Sequence, residues 1–188
     1  AFGMSGPEVE AVQMLLFWRL LKALGLAESV SLEINTLGSI DCRIKYKEVL
    51  VSYFNQNKSS LDEDSKRRLA SNPLRILDSK NPEMKGLIAG APKITDVLSQ
   101  DSLDHFNRLQ YLLKLSGIPY VSNPTLVRGL DYYCHTVYEW KTDSLGAQGT
   151  VCAGGRYDGL VEKLGGKSTP AVGFAMGLER IVLMMQQL

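Results

Sequence analysis

Arginines, tyrosines and glycines recur together in three short stretches of the second half of the sequence. The stretches are LVRGLDYY (126–133), AGGRYDGL (153–160) and AVGFAMGLER (171–180). Guanidinium groups such as those of Arg128 and Arg156 can meet the negative charge that develops on an anion during a reaction. Tyrosine hydroxyls both donate and accept hydrogen bonds, which suits a heteroaromatic or amine ligand. These residue types indicate a site for an anionic ligand that also carries hydrogen-bonding groups.

The spacing of the glycines differs from that of the common phosphate-binding loops. GLVEKLGGKS (159–168) ends like a P-loop, but Val161 occupies the position that requires the first glycine, and GGRYDG lacks the GxGxxG spacing. Gly173 and Gly177 instead remove side chains from a predicted strand, so that a flat ligand can lie on the backbone. Arg180 follows in the first turn of the next predicted helix, where a cation suits the phosphates of a nucleotide.

Each stretch also has an ordinary structural interpretation. The glycines can form turns, Arg128 can pair with a carboxylate, and tyrosines commonly line the rim of a hydrophobic core. The net charge of +1 does not indicate a nucleic-acid partner, although a neutral total can hide a local patch. Only the occurrence of all three stretches together can therefore distinguish a ligand site from these structural roles.

The composition is that of an ordinary cytoplasmic globular protein. With 45% hydrophobic and 22% charged residues, disordered and collagen-like classes are excluded. The apolar runs are too short for a membrane span, and we expect no targeting signal. Cys42, Cys134 and Cys152 are widely separated and lack CxxC spacing, so neither a disulfide framework nor a zinc site is supported.

A long helical pattern opens the sequence. Ser5 and Glu8 are spaced as a capping box with Pro7 in the first turn, and the pattern ends at Gly25. Its apolar residues cover more than one face, so we predict that the helix is buried on two sides. One apolar stripe consists of Val9, Val12, Leu16, Leu20 and Leu24, and Met14, Phe17 and Leu21 lie beside it.

Strand patterns before and after a helical segment predict an α+β fold with a mostly antiparallel sheet flanked by helices. VSLEI (30–34) alternates apolar and polar residues, and IPYVSN, HTVYEWKT, GTVCAGGRYD and AVGFAMG follow after residue 117, before the closing helix LERIVLMMQQL. Residues 41–117 show helical patterns instead, with a second capping box at Ser60 and Glu63. Their 13 basic and 10 acidic residues are compatible both with a nucleic-acid backbone and with a solvated helix surface.

In this order, the three stretches resemble the signatures of the histidyl-tRNA synthetase family, a family of class II aminoacyl-tRNA synthetases. LVRGLDYY resembles the first histidine-specific signature, AGGRYDGL the second, and AVGFAMGLERIVL the class II motif 3. The resemblance extends through essentially the whole chain and includes the opening helix and SKNPE. It implies that L-histidine and ATP give histidyl-adenylate and pyrophosphate, and that the histidyl group then passes to tRNA(His).

The resemblance also implies roles for individual residues. Arg128 would be the catalytic cation that bridges the histidine carboxylate and the α-phosphate of ATP, and Mg²⁺ would be bound through the ATP phosphates rather than by a protein metal site. If residues 132–133 form a regular strand, the two tyrosines point to opposite faces and only one of them touches the imidazole. The implied histidine-binding residues are Tyr132, Tyr133, Gly154, Gly155 and Tyr157, and the implied ATP-binding residues are Arg128, Gly173, Gly177 and Arg180.

By the same resemblance, residues 1–40 and 118–188 are parts of the class II catalytic core. Residues 41–117 would be an all-helical insertion domain near the acceptor stem of the tRNA. Motif 1, motif 2 and an anticodon-binding domain are not recognised in the sequence. We therefore expect a fragment with little or no activity alone, taken from an enzyme that acts as a cytoplasmic homodimer.

Two other functions compete with this interpretation. A non-catalytic, synthetase-like regulatory subunit of histidine biosynthesis would share the fold. Such a relative would be expected to lose Arg128 or Arg180 and to lack the helical insert, whereas this sequence keeps all three. A generic helical interaction module would leave the glycine and arginine pattern without a purpose.

Overall fold

The computed structural model describes residues 1–187, and for Ala147 only the backbone; Leu188, the last residue of the predicted C-terminal helix, lies outside the described residues. The helices are α1 (Glu8–Ala23), α2 (Ile40–Gln56), α3 (Glu63–Ser71), α4 (Lys85–Ala89), α5 (Gln100–Leu115), α6 (Leu160–Lys163) and α7 (Leu178–Met185). The strands are β1 (Ser31–Thr36), β2 (Tyr120–Ser122), β3 (Cys134–Lys141), β4 (Thr150–Arg156) and β5 (Val172–Met176). None of the helices within residues 1–187 has the length and apolarity that a membrane crossing requires.

The strands form one sheet in the order β2-β1-β3-β4-β5. β1 and β2 are parallel, and the other neighbouring strands are antiparallel, which confirms the predicted mostly antiparallel sheet flanked by helices. The alternation in VSLEI separates the two faces of β1. Leu32 and Ile34 point into one hydrophobic core, so Glu33 and Asn35 point to the other side of the sheet.

One face of the sheet is covered by α1, α5 and α7. Trp140 of β3 is fully buried on this face and stacks on Trp18 of α1, with 5.7 Å between the ring centroids. Phe106 of α5 and Ile181 of α7 belong to the same cluster. This face therefore contains the first hydrophobic core.

The prediction that α1 is buried on two sides is wrong for the chain as described. Met14, Phe17 and Leu21 are buried against the sheet, but Val12 and Leu16 are each 61% exposed. The sheet offers the helix one apolar surface, and the second stripe has no covering element among residues 1–187. Amphipathic periodicity identifies an apolar stripe but does not supply its partner.

The opposite face of the sheet is covered by the helical segment that follows β1. Tyr46 and Phe54 of α2 are buried in a second hydrophobic cluster together with Val137 of β3. α5 lies within the predicted insert of residues 41–117, but its Phe106 packs in the first core with α1. The predicted domain division at residues 40 and 117 stays a prediction.

Both predicted capping boxes are wrong. α1 begins at Glu8 with no side-chain cap, and the Glu8 carboxylate accepts a hydrogen bond from Arg108 instead. α3 is capped by Asp62 rather than Ser60, and the Asp62 carboxylate accepts from the backbone N–H of Ser65 at 2.7 Å. α1 forms without a side-chain cap because its apolar face is buried against the sheet, whereas α3 buries only Ser65 and has its cap from Asp62.

Candidate functional site

Two neighbouring rows of paired residues cross the sheet on the face that α2 covers. From β1 to β5, the first row is Glu33, Glu139, Ala153 and Ala175, and the second is Asn35, Val137, Gly155 and Gly173. The rows are two residues apart on every strand, so they point to the same side and lie about 7 Å apart. All four of these positions on β4 and β5 are alanine or glycine, so other groups can approach the sheet closely there.

Three tyrosine rings stand over the glycines of the second row. A Cβ atom on Gly155 would lie 2.8 Å from Cδ1 of Tyr133, and one on Gly173 would lie 2.7 Å from the Tyr157 hydroxyl. The ring centroid of Tyr132 is 4.7 Å from that of Tyr133 and 5.9 Å from that of Tyr157. Glycine at both positions allows the rings to approach the sheet this closely. We call Tyr132, Tyr133 and Tyr157 the tyrosine group.

Tyr132 and Tyr133 precede β3, which begins at Cys134. Residues 132–133 are therefore not part of a regular strand, so their side chains need not point to opposite faces of the sheet. Both rings belong to one cluster and both face Tyr157. The structure thus brings together all three tyrosines that the sequence singled out.

The phenols of Tyr133 and Tyr157 are neutral at physiological pH. Burial, reinforced by the neighbouring Tyr132, raises the pKa of Tyr133 to about 12. Burial also raises the pKa of Tyr157. Because ionisation is disfavoured, these hydroxyls keep their protons and can both donate and accept hydrogen bonds.

Arg128 lies in the loop before β3 and forms an ion pair with Glu139 of the first row. The Arg128 side chain is 26% exposed and that of Glu139 is 11% exposed. The second carboxylate oxygen of Glu139 accepts from the Thr150 hydroxyl at 3.1 Å. Nε of Arg128 is buried without a hydrogen-bond partner within residues 1–187. The guanidinium is therefore fixed at one end and retains donors for a further anion.

A cleft of about 490 Å³ opens beside this ion pair. Its lining includes Arg128, Thr150, Ala153, Ala175, Gly177 and Arg180. Arg180 stands in the first turn of α7 and donates to the backbone carbonyl of Thr150. Two guanidinium groups and a helix start thus border one cleft, an arrangement that favours an anionic ligand such as a polyphosphate.

Two predicted participants point to the other face of the sheet. Gly154 pairs with Phe174, and a Cβ atom on Gly154 would meet the Phe174 side chain at 2.6 Å, on the side of the first core. Arg156 is fully buried, and its Nε and Nη2 donate to the two carboxylate oxygens of Glu10 at 2.9 and 2.7 Å. The suggestion that Arg156 meets a ligand anion is therefore wrong.

Gly173 and Gly177 are both predicted ATP contacts, but the structure places them at different parts of the site. Gly173 lies in the second row under Tyr157, whereas Gly177 lines the cleft with Arg180. Their separation follows from the strand, because residues four apart in β5 are about 13 Å apart. Gly173 is thus beside the tyrosine group.

Sequence reasoning missed Glu139 and Asn35. Glu139 anchors Arg128, and the Asn35 amide donates to the backbone carbonyls of Pro124 and Leu126 in the loop before Arg128. A signal for Glu139 is present, because it stands between the large aromatic residues Tyr138 and Trp140 of a strand. A carboxylate at such a position needs a partner.

A mostly antiparallel sheet flanked by helices, with arginines and tyrosines over glycines on one face, defines a class II synthetase-type fold. The chain belongs to the histidyl-tRNA synthetase family, because the family model described as "Histidyl-tRNA synthetase" matches residues 46–181.

Solved structures agree with this assignment. The chain is similar to apo histidyl-tRNA synthetase of S. aureus, with 35% identity over 99% of this chain and 45% of that chain, and a TM-score of 0.77. A Bacillus halodurans chain described as "an ATP phosphoribosyltransferase regulatory subunit/histidyl-tRNA synthetase" shares 23% identity over 98% of this chain and 51% of its own, with a TM-score of 0.59. Histidyl-tRNA synthetase of Nostoc shares 18% identity over 98% of this chain and 48% of its own, with a TM-score of 0.60.

At 23% and 18% identity, the latter two structures show a common fold alone. The chain spans less than half the length of the S. aureus protein and about half of the other two.

Proposed function

We propose that the complete protein carrying this chain is a histidine–tRNA ligase. It activates L-histidine with ATP to form histidyl-adenylate and pyrophosphate, and then transfers the histidyl group to tRNA(His). The observation that carries the proposal is the placement of the tyrosine group and the arginine-lined cleft on adjacent rows of one sheet face. An amino acid over the second row and a nucleotide over the first would meet at Arg128.

The tyrosine group suits an imidazole ring. Tyr133 and Tyr157 are neutral phenols, so each can donate to or accept from a ring nitrogen. Gly155 lets the Tyr133 ring approach the sheet, so at this position the ligand would lie against the phenols rather than on the backbone. A site that hydrogen-bonds both ring nitrogens rejects apolar analogues strongly, because a wrong side chain leaves buried polar groups unpaired.

Arg128 would act on the reacting atoms. In the activation step, a histidine carboxylate oxygen bonds to the α-phosphorus of ATP while the bond from that phosphorus to the β-phosphate oxygen breaks. A guanidinium between the carboxylate and the α-phosphate holds the two reactants together and stabilises the charge on the phosphate oxygens. The Glu139 ion pair presents Arg128 in a fixed orientation before the ligands arrive.

The negative charge of ATP would match the two guanidinium groups, of Arg128 and Arg180, that border the cleft. Arg180 and the start of α7 would bind the nucleotide, and Gly177 leaves room for the Arg180 side chain itself. We propose that Mg²⁺ is bound through the phosphates of ATP, where it supplies charge neutralisation. The chain's own part is to place two guanidinium groups at the cleft.

The helical segment 41–117 is proposed to lie near the acceptor stem of tRNA(His). Its surplus of three basic residues supports this placement, and α3 presents Arg67 with 79% of its side chain exposed. We expect Arg67→Glu to raise the KM for tRNA roughly three- to tenfold, because a phosphate contact becomes a repulsion.

Aminoacylation kinetics would measure this effect, and pyrophosphate exchange should stay unchanged. Arg19→Glu on α1, which covers the other face of the sheet, is the matched control. Equal tRNA kinetics in both variants and the wild type would contradict the placement of the insert.

The proposed function is tested by histidine-dependent ATP–pyrophosphate exchange and by charging of tRNA(His) with the complete protein. A ligase gives both activities. A non-catalytic regulatory subunit binds histidine, as calorimetry would show, but gives neither. A cytoplasmic location, a homodimeric enzyme and an inactive isolated fragment stay predictions.

A further inference from the structure

The loop of residues 123–133 carries much of the proposed site without helix or strand structure after Ser122. Arg128, Tyr132 and Tyr133 all belong to it. A segment with few backbone partners of its own keeps one conformation only if the surrounding structure engages its polar groups. The side chains that engage this loop therefore determine where the proposed reactive and recognition groups point.

The first part of the loop is fixed by Asn35 of β1. The Asn35 amide nitrogen donates to the carbonyls of Pro124 and Leu126 at 3.2 and 2.9 Å. Asn35 is only 4% exposed, and it belongs to the second row of the sheet. This anchor lies before Arg128 in the chain, so it leaves the tyrosines unfixed.

The last part of the loop is fixed by Arg43, near the start of α2. Nη1 of Arg43 donates to the backbone carbonyls of Asp131 and Tyr133, the latter at 3.0 Å. The two carbonyls belong to the residues before and after Tyr132. A single guanidinium nitrogen therefore holds the backbone on both sides of Tyr132, and one of the two carbonyls is that of Tyr133 itself. Arg75 adds a contact in the middle, since its Nη1 would lie 2.6 Å from a Cβ atom on Gly129.

We propose that Arg43 is a positioning residue for histidine recognition, acting through the backbone of residues 131–133 to orient Tyr132 and Tyr133. The inference rests on the proposed function, because it concerns how the same site recognises histidine. Arg43 touches backbone carbonyls rather than the tyrosine rings. Its loss should therefore affect the amino acid more than the nucleotide, which binds in the cleft beside Arg180.

The experiment compares Arg43→Ala, Arg43→Lys and Lys47→Ala in the complete protein by ATP–pyrophosphate exchange. For Arg43→Ala we expect kcat/KM for histidine to fall about 10- to 100-fold, with a raised histidine KM, because small displacements of positioned groups carry costs of this size. The KM for ATP should change less than about threefold. Arg43→Lys should recover part of the loss, because an ammonium still donates to one of the carbonyls.

Lys47 is the matched control, because it stands one turn further along α2, is exposed and borders the same surface cleft as Arg43. Lys47→Ala should behave as the wild type. Parallel thermal unfolding separates positioning from general loss of folding, and Arg43→Lys serves alone if Arg43→Ala does not fold. Equal changes in the KM values for histidine and ATP, or an unchanged histidine KM in both Arg43 variants, would overturn the proposal.

Different results would contradict the proposed ligase function and the proposed role of Arg43. If the wild-type protein binds histidine but gives no exchange, the ligase function is wrong, and calorimetric histidine affinities of the same variants decide the role of Arg43. A tenfold weaker affinity in Arg43→Ala would still support positioning. A wild-type protein that neither exchanges pyrophosphate nor binds histidine would overturn both.

Discussion

Replacing Arg128 with alanine in the complete protein is expected to slow histidyl-adenylate formation about 10²- to 10³-fold, with a much smaller rise in the histidine KM. The guanidinium is proposed to stabilise charge that exists fully only in the transition state, whereas the tyrosine group is proposed to bind the imidazole already in the ground state. Single-turnover adenylation and ATP–pyrophosphate exchange at varied histidine concentrations would separate the two parameters.

The control for this variant follows from the Arg128–Glu139 ion pair. Arg128→Ala leaves the Glu139 carboxylate, which is 11% exposed, with the Lys141 ammonium at 3.6 Å as its remaining cation, and the weaker pairing can reduce folding stability independently of chemistry. The double variant Arg128→Ala with Glu139→Gln removes this weakly paired charge. We expect it to regain stability but not rate. A raised histidine KM with an unchanged kcat would make Arg128 a binding residue instead.

The strands were largely predictable, because they follow from local periodicity. Alternation in VSLEI predicts the two faces of β1, and the glycines of AGGRYDG and AVGFAMG mark positions on β4 and β5 where other groups approach the sheet closely. Strand residues two apart share a face, so Gly155 and Ala153 had to lie together. The same rule places Gly154 and Gly155, which are neighbours in β4, on opposite faces of the sheet.

Other features depended on contacts that sequence spacing does not encode. Arg156 looked like an available cation, but its partner Glu10 lies 146 residues away in the chain. Tyr132 and Tyr133 share one side because β3 begins only at Cys134, and strand boundaries are less certain than strand existence. Arg43 contacts the loop from a helical segment 90 residues earlier in the chain, and helical periodicity does not predict that contact.

The Glu10–Arg156 pair leads to the largest expected effect on folding. Glu10→Ala is expected to lower the free energy of unfolding by about 3 kcal/mol, because the buried Arg156 guanidinium loses the carboxylate that accepts two of its hydrogen bonds and keeps only the Asp158 carboxylate at 3.1 Å. The loss should be visible by urea unfolding followed through tryptophan fluorescence, since Trp18 and Trp140 stack in the core beneath α1. Glu8→Ala is the matched control, because its ion pair with Arg108 is about half exposed and should contribute at most about 1 kcal/mol.

The pH dependence of stability tests the same pair without removing it. Burial opposes ionisation of Glu10, but hydrogen bonds from Arg156 and His105 outweigh it and lower the pKa of Glu10 to about 2 from its ordinary 4.5. A depressed folded-state pKa stabilises the protein fully above the unfolded value, and this contribution is lost as the pH falls from about 4.5 towards 2. The difference in unfolding free energy between wild type and Glu10→Gln should therefore be constant near neutrality and shrink across that window. A difference that stays constant down to pH 2 would mean that Glu10 is not held as a carboxylate by Arg156, and the buried pair would then lose its role in fixing α1 to β4.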